Sequence, residues 1–315
     1  MKLLGIHHIT AIAVDPQRNL DFYTQVLGLR LVKRTVNFDD PGTYHLYFGD
    51  RIGKPGTIIT FFPWPGARRG TRGIGQVVAT SFAIPALSTG YWNERLKKEG
   101  VVAQENVRRF GEEVVRFVDP DGLLLELIGS AHLDDVDLNF ASDVPDEFAI
   151  HGFQAPTLEV KKAESTEQLL LKFGFDLIAE EGGRRRFALN ERSTSAGVDI
   201  IKRSNGQFGN NAAGTVHHIA FRAANKEEQL QWQKQLVDLG LHVTPVIDRQ
   251  YFHSIYFREP NGILFEIATD GPGFTIDEPV KQLGGSLKLP KQFEPERKTI
   301  EQVLPPIELR PAADR

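Results

Sequence analysis

Two short words stand out in a chain of 315 residues that holds only nine histidines. Residues 5–13 read GIHHITAIA and residues 215–223 read TVHHIAFRA. His7-His8 and His217-His218 therefore sit in matching contexts near opposite ends of the chain. A third segment, PNGILFEIA at 260–268, carries Glu266 inside an apolar run. Two imidazoles and one carboxylate on one face of a divalent cation leave neighbouring coordination positions open. That is the donor set of non-haem Fe(II) sites that activate dioxygen, and Mn(II) accepts the same donors. Neighbouring strand residues point to opposite faces, so only one His of each pair can face such an ion directly. A single strand histidine is ordinarily packing; two matched pairs with a Glu are what carry the metal reading.

These residues lie in a chain of repeats. FVDPDGLLLELIG at 117–129 matches FREPNGILFEIAT at 257–269, pairing Phe117 with Phe257, Pro120 with Pro260, Gly122 with Gly262 and Glu126 with Glu266 at one constant offset. Leu96 and Gly100 pair with Leu236 and Gly240 at the same offset. After each HH word a strand pattern gives way to helical apolar spacing, then a terminal Gly-Leu in which Gly28 and Gly240 suit a helix C-terminus. Four units of strand, helix and three strands follow, at 5–63, 75–130, 150–202 and 214–269, with Asp-Pro-Asp-Gly or Glu-Pro-Asn-Gly turns before the last strand. The expectation is an α+β chain of four βαβββ modules in two tandem domains, 1–135 and 150–272. An Asp-rich linker at 136–149 and a proline-rich tail at 273–315 complete it. The tail has one helical pattern near 294–304 and is expected to fray at RPAADR. Each module curls its sheet into half a cup, so first-strand His218 and last-strand Glu266 become neighbours.

Composition narrows the function classes. The net charge is −4 and the pI about 6.2, with no basic stripe to meet nucleic acid. The run Arg184-Arg185-Arg186 is expected to be one solvated turn. There is no cysteine, which excludes disulfides, thiolate metal sites and a thiol nucleophile, and fits a reducing cytoplasm. The opening MKLLGIHHITAIA looks superficially like a signal peptide, but its pattern recurs internally, and no apolar run approaches the ~18 residues of a membrane span. A cytoplasmic protein is expected, and a homo-oligomer is compatible with this sequence.

GIHHIT, LDFYTQVLGL and PNGILFEI together resemble the vicinal-oxygen-chelate superfamily, which includes glyoxalase I, bleomycin-resistance proteins and extradiol ring-cleaving dioxygenases. The doubled HH words, DRQYFHSIYFREPNGILFEIATDGPGF and the tail LKLPKQFEPERKTIEQVLPPI are more specific. They resemble ring-cleaving dioxygenases that act on hydroquinones, over essentially the whole chain. The resemblance implies metal ligands at His8, His218 and Glu266, drawn from modules 1 and 4. It also implies site roles for His7, Thr10, His217, Arg249 and Tyr256, with a small aromatic diol and O2 as partners and Fe(II), or Mn(II), as cofactor. Two other readings share the fold: a metal-dependent glyoxalase-like isomerase or lyase, and a protein that binds an aromatic or antibiotic without chemistry. The strand IITFFPW lacks the second carboxylate an isomerase commonly uses. Ungapped comparison puts Val78 at the position of His218 and Gln154 at that of His8, so Glu126 has no His partners and the second cup is expected to be metal-free. His45, His132, His151 and His242 are expected to be structural or exposed. His253 can be read as packing or as a pocket residue, and Phe61-Phe62-Pro63-Trp64 as packing or as the wall of an aromatic pocket.

Overall fold

The structure, a computed structural model, describes residues 1–138, 142–189 and 195–309. Each module begins with a strand whose residues are almost all buried. Module 1 comprises β1 (Ile6–Ala13), α1 (Pro16–Asp21), β2 (Arg30–Asn37), β3 (Asp40–Gly49) and β4 (Ile58–Pro63). Module 2 comprises β5 (Gln76–Pro85), α2 (Thr89–Lys98), β6 (Val107–Arg109), β7 (Glu112–Val118) and β8 (Leu124–Ser130). In module 3 they are β9 (Thr157–Val160), α3 (Ala163–Phe173), β10 (Asp176–Glu181), β11 (Arg184–Ala188) and β12 (Gly197–Lys202). Module 4 holds β13 (Val216–Ala223), α4 (Lys226–Asp238), β14 (Ile247–Asp248), β15 (His253–Arg258) and β16 (Leu264–Thr269).

Helix starts and stops follow their local chemistry. Asp15 caps α1 by accepting from Arg18 N at 2.8 Å, and Asn225 caps α4 by accepting from Glu228 N at 2.9 Å. Gly28 and Gly240 take φ of 73° and 80° just past the helical segments of modules 1 and 4, where a side chain would be strained. Trp92 and Trp232 are buried on α2 and α4, Tyr23 just past α1 packs on Phe48 and Phe61 of its own module, and Phe173 on α3 reaches across to Phe221, Trp232 and Phe257 of module 4.

The strands form two curled eight-stranded sheets, in the orders β14-β15-β16-β13-β1-β4-β3-β2 and β10-β11-β12-β9-β5-β8-β7-β6. The first sheet joins module 1 to module 4 and the second joins module 2 to module 3. The seam of the first is the antiparallel pair β1–β13, whose partners include His8 with Ala220 and Thr10 with His218. The register slips twice, between Ile6 and His8 on one side and between Thr10 and Ala11 on the other. Each slip is a β-bulge, one at His7 and one at His217.

One expectation needs correction here. Arg184-Arg185-Arg186 is not a solvated turn; it lies in β11. Arg184 and Arg186 turn inward to Asp199 at 3.0 and 2.7 Å, while Arg185 bonds Glu180 at 2.7 Å and also meets Glu167. A charge run satisfies itself on a strand when acidic groups on facing elements meet alternate side chains. The helical pattern in the tail becomes α5 (Arg297–Val303). The fraying expected at RPAADR lies outside the described residues, as does part of the linker. Among the described residues no helix is long and apolar enough to cross a membrane.

Candidate metal centre and its cavity

His8 on β1, His218 on β13 and Glu266 on β16 converge in the cup of the first sheet. His8 Nε2 lies 3.3 Å from His218 Nε2 and 3.3 Å from Glu266 Oε2; His218 Nε2 lies 3.0 Å from the same oxygen. All three side chains are buried. Donors about 2.1 Å from one ion, at right angles to each other, stand roughly 3 Å apart, so this triangle has the dimensions of a facial ligand set. Glu266 Oε2 makes no hydrogen bond of acceptable direction despite those two nitrogens. A carboxylate oxygen and imidazole lone pairs this close repel unless something positive lies among them. Burial pushes the Glu266 carboxyl up, but the facing His8 and His218 outweigh it and hold the acid well below the usual carboxylate range. The residues fit a divalent cation.

The bulges explain why histidines come in pairs. Strict alternation would send neighbours to opposite faces, but the bulged residue turns its ring back beside its neighbour. His7 Nδ1 lies 2.9 Å from His8 Nδ1, and His217 Nδ1 lies 2.8 Å from His218 Nδ1. On the first side the protons can be assigned. Thr269 O can only accept, so His7 Nε2, 3.2 Å away, carries a hydrogen. Burial lowers the His7 pKa well below its usual value, with neighbouring His8 adding to it, so the ring is neutral and its Nδ1 is an acceptor. His8 Nδ1–H must donate to it, which leaves the His8 Nε2 lone pair aimed at the centre. His217, lowered to about 3 by burial and by His218, is also neutral near pH 7.

The centre opens into a cavity of about 350 Å3, within the range of small-molecule sites. His217, Arg249 and Tyr256 line it. Arg249 Nε donates to Tyr256 OH at 3.2 Å, so the Tyr256 proton remains free to donate elsewhere. Burial, and then the charge of Glu266, pushes the Tyr256 phenol well up, so it stays protonated. Phe62, Trp64 and Phe252 supply aromatic walls. His7 and Thr10 stand behind the wall: His7 behind His8, and Thr10 bonded to Thr60 Oγ1 at 2.8 Å. His253 is not among the lining residues.

His45 corrects an expectation. It is neither simply structural nor solvent-exposed, but lines the cavity between the rings of Tyr47 and Phe62, with centroids at 4.1 and 4.3 Å. Tyr47, also on the wall, was missed outright. A signal existed in the alternation of YHLYF, which puts His45 and Tyr47 on one face of β3. Nothing in the sequence said that this face is the inside of the cup.

Residues 5–127 and 160–267 match the glyoxalase/bleomycin resistance protein/dioxygenase superfamily. The chain belongs to this superfamily. It is 50% identical over 311 residues to MhqO of Bacillus subtilis (strain 168), named a candidate ring-cleaving dioxygenase, covering 98% of both chains. It is 34% identical over 306 residues to the chlorohydroquinone/hydroquinone 1,2-dioxygenase of Sphingobium indicum, covering 93% of each. A crystal structure of a candidate dioxygenase from Bacillus subtilis superposes with a TM-score of 0.93 at 49% identity, covering 98% of this chain and 99% of that one.

In this superfamily member the second sheet uses the corresponding positions differently. Ser81 opposes Glu126 as Ala220 opposes Glu266, so the counterpart of His218 is Ala79, not Val78. Thr157 opposes Ala79 as Thr10 opposes His218, so the counterpart of His8 is Ala155, not Gln154. The modules differ by one residue between their first strand and the strands that follow, which an ungapped comparison cannot register. Glu126 is neutralised by guanidinium groups, with Arg109 Nη2 at 2.6 Å and Arg116 Nε at 3.4 Å.

Proposed function

We propose that this protein is a metal-dependent dioxygenase that cleaves the ring of a hydroquinone- or catechol-type aromatic and inserts both atoms of O2. His8, His218 and Glu266 would hold Fe(II), with Mn(II) as the other ion these donors accept. The observation that carries the reading is the triangle of three converging donor atoms, opening on an aromatic-walled cavity. The hydroquinone dioxygenase among the relatives supports the substrate class.

Such an ion, when bound, acidifies a coordinated hydroxyl and lets an electron-rich ring and O2 meet at one centre. The chain does the rest. Phe62, Trp64 and Phe252 hold the ring in plane by stacking and edge contacts and keep bulk water away. Tyr256, accepting from Arg249, turns its own proton toward the substrate oxygen beside the centre. The Arg249 guanidinium faces a poorly hydrated cavity, where it stabilises developing negative charge far more than it would in water. His217 is neutral and sits at the cavity wall; with its Nδ1 accepting from His218 Nδ1–H, its Nε2–H is left to donate to a substrate oxygen. Thr60 occupies the strand position that corresponds to Glu266, so the centre lacks a second carboxylate as a fourth protein ligand and keeps positions open. A glyoxalase-like isomerase commonly fills that position with an acid.

The test is O2 uptake by the Fe(II)-loaded protein, prepared without air, with methylhydroquinone and catechol side by side. Labelled O2 and mass spectrometry follow the product. Ring-opened product with both labelled atoms is expected. Bound iron without uptake on either diol would sink the reading.

A further inference from the structure

The two halves of the first sheet correspond residue by residue. On the module 4 side, Tyr256 opposes Glu266 and Glu266 opposes Ala220. On the module 1 side, Tyr47 opposes Thr60 and Thr60 opposes Thr10. Tyr47 is thus the counterpart of Tyr256, Thr60 of Glu266, and His45 of Ser254. Even the hydrogen bonds correspond: Ser254 Oγ donates to Glu266 Oε1 at 2.5 Å, and His45 Nε2 meets Thr60 Oγ1 at 2.8 Å. Where module 4 supplies a charged ligand, module 1 supplies an uncharged chain. It runs Thr10–Thr60–His45–Tyr47, with each link at 2.8 Å.

Every member of this chain can reverse its polarity. If His45 Nδ1 carries the hydrogen, it donates to Tyr47, whose own proton is free to enter the cavity. If His45 Nε2 carries it, Tyr47 donates to His45 and presents lone pairs to the cavity instead. Burial holds His45 neutral and keeps Tyr47 a phenol, so both arrangements are uncharged. A wall that can either donate or accept suits a hydroxyl, which does both.

Position decides which hydroxyl. Tyr256 and Arg249 lie on β15 and just before it, on the side of Glu266, and serve an oxygen at the metal centre. His45 and Tyr47 lie on β3, two strands from β1 on the other side, roughly 10 Å away at the backbone. The second oxygen of a 1,2-diol would stay at the centre beside the first. With β15 next to the strand of Glu266 and β3 four strands from it, the module 1 wall is placed to meet an oxygen across the ring.

We propose that Tyr47, backed by His45, is the docking point for a substrate hydroxyl that lies across the ring from the one at the metal centre, and that it selects 1,4-diols over 1,2-diols. This rests on the function proposed above. Tyr47 touches substrate; His45 and Thr60 position it.

The test is anaerobic calorimetry on the full-length, metal-loaded protein with hydroquinone, phenol and catechol, for wild type, Tyr47→Phe and His45→Gln. Metal content and melting temperature are measured on each sample. Wild type should bind hydroquinone more tightly than phenol. Tyr47→Phe should lose about tenfold on hydroquinone, the scale of one hydrogen bond, while phenol and catechol keep their affinities. His45→Gln should show a smaller loss in the same pattern. An equal loss on all three ligands would make Tyr47 a shaping residue only, and no loss would remove it from recognition; either result overturns the docking point. If wild type binds and cleaves hydroquinone in both those cases, the proposed function survives. Wild type binding none of the three would overturn both.

Discussion

At the scale of single residues, the paired histidines are an orienting device. The Thr269 carbonyl sets the tautomer of His7, and His7 sets that of His8. An outer partner of this kind is typically worth about 10–100-fold in metal affinity, so His7→Leu should bind Fe(II) more weakly by that factor in chelator competition while keeping its fold. Unchanged affinity would reduce His7 to packing. The same burial makes the metal-free protein acid-sensitive. His7, His45, His217 and His218 all have folded pKa values below 6.5, so the unfolded chain takes up more protons as pH falls below that value. Stability therefore declines with pH, by at most about 1.4 kcal/mol per pH unit for each group, until the folded pKa is passed. For His217 that lower limit is about 3. Urea midpoints of the metal-free protein should fall between pH 7 and about 5, and His45→Gln should flatten the slope. A flat wild-type profile would contradict the assignment.

At the scale of elements, the cup is held from outside as well as within. Lys33 on β2 is fully buried and reaches Asp277 Oδ1 at 2.6 Å and Glu278, so the start of the tail is pinned across module 1. Its ammonium also stands 5.0 Å from the Tyr251 ring centre, next to the Phe252 wall of the cavity. Glu278→Gln should destabilise the protein by about 2 kcal/mol, less than a fully broken buried pair because Asp277 remains. The measurement is a denaturant midpoint with unchanged slope, which separates lost stability from a changed unfolded state. An unmoved midpoint would mean that the Lys33–Glu278 pair is dispensable to the cup.

At the scale of the whole molecule, a bound ion would join the two ends of the chain, since β1 opens module 1 and β13 opens module 4. An ion that binds only the folded state adds about 4 kcal/mol at a thousandfold excess over its Kd. Anaerobic Fe(II) should therefore raise the melting temperature of wild type. His8→Ala and Glu266→Ala should melt at one temperature with and without the metal. A full metal-induced rise in either variant would place the ion elsewhere. The second sheet should contribute nothing to this rise, because Glu126 already has Arg109 and Arg116 as its cations.

Much of this was legible in the chain itself. Repeated words at matching offsets set out four modules, because each module must solve the same packing problem with the same turn and helix-end residues. The paired histidines and Glu266 stand out because ligand chemistry restricts residue types severely and their contexts are duplicated, whereas the choice of His8 and His218 within the pairs rests on the family resemblance. What only the tertiary structure decided was orientation and register. Bulges at His7 and His217 place paired rings side by side, against simple strand alternation. A one-residue difference between modules moves the counterparts of the ligands to Ala79 and Ala155. Pairing module 1 with module 4 turns one face of β3 into a cavity wall, which makes His45 and Tyr47 part of the site. Side-chain facing follows from which strand lies next door, and that neighbour comes from the other end of the chain.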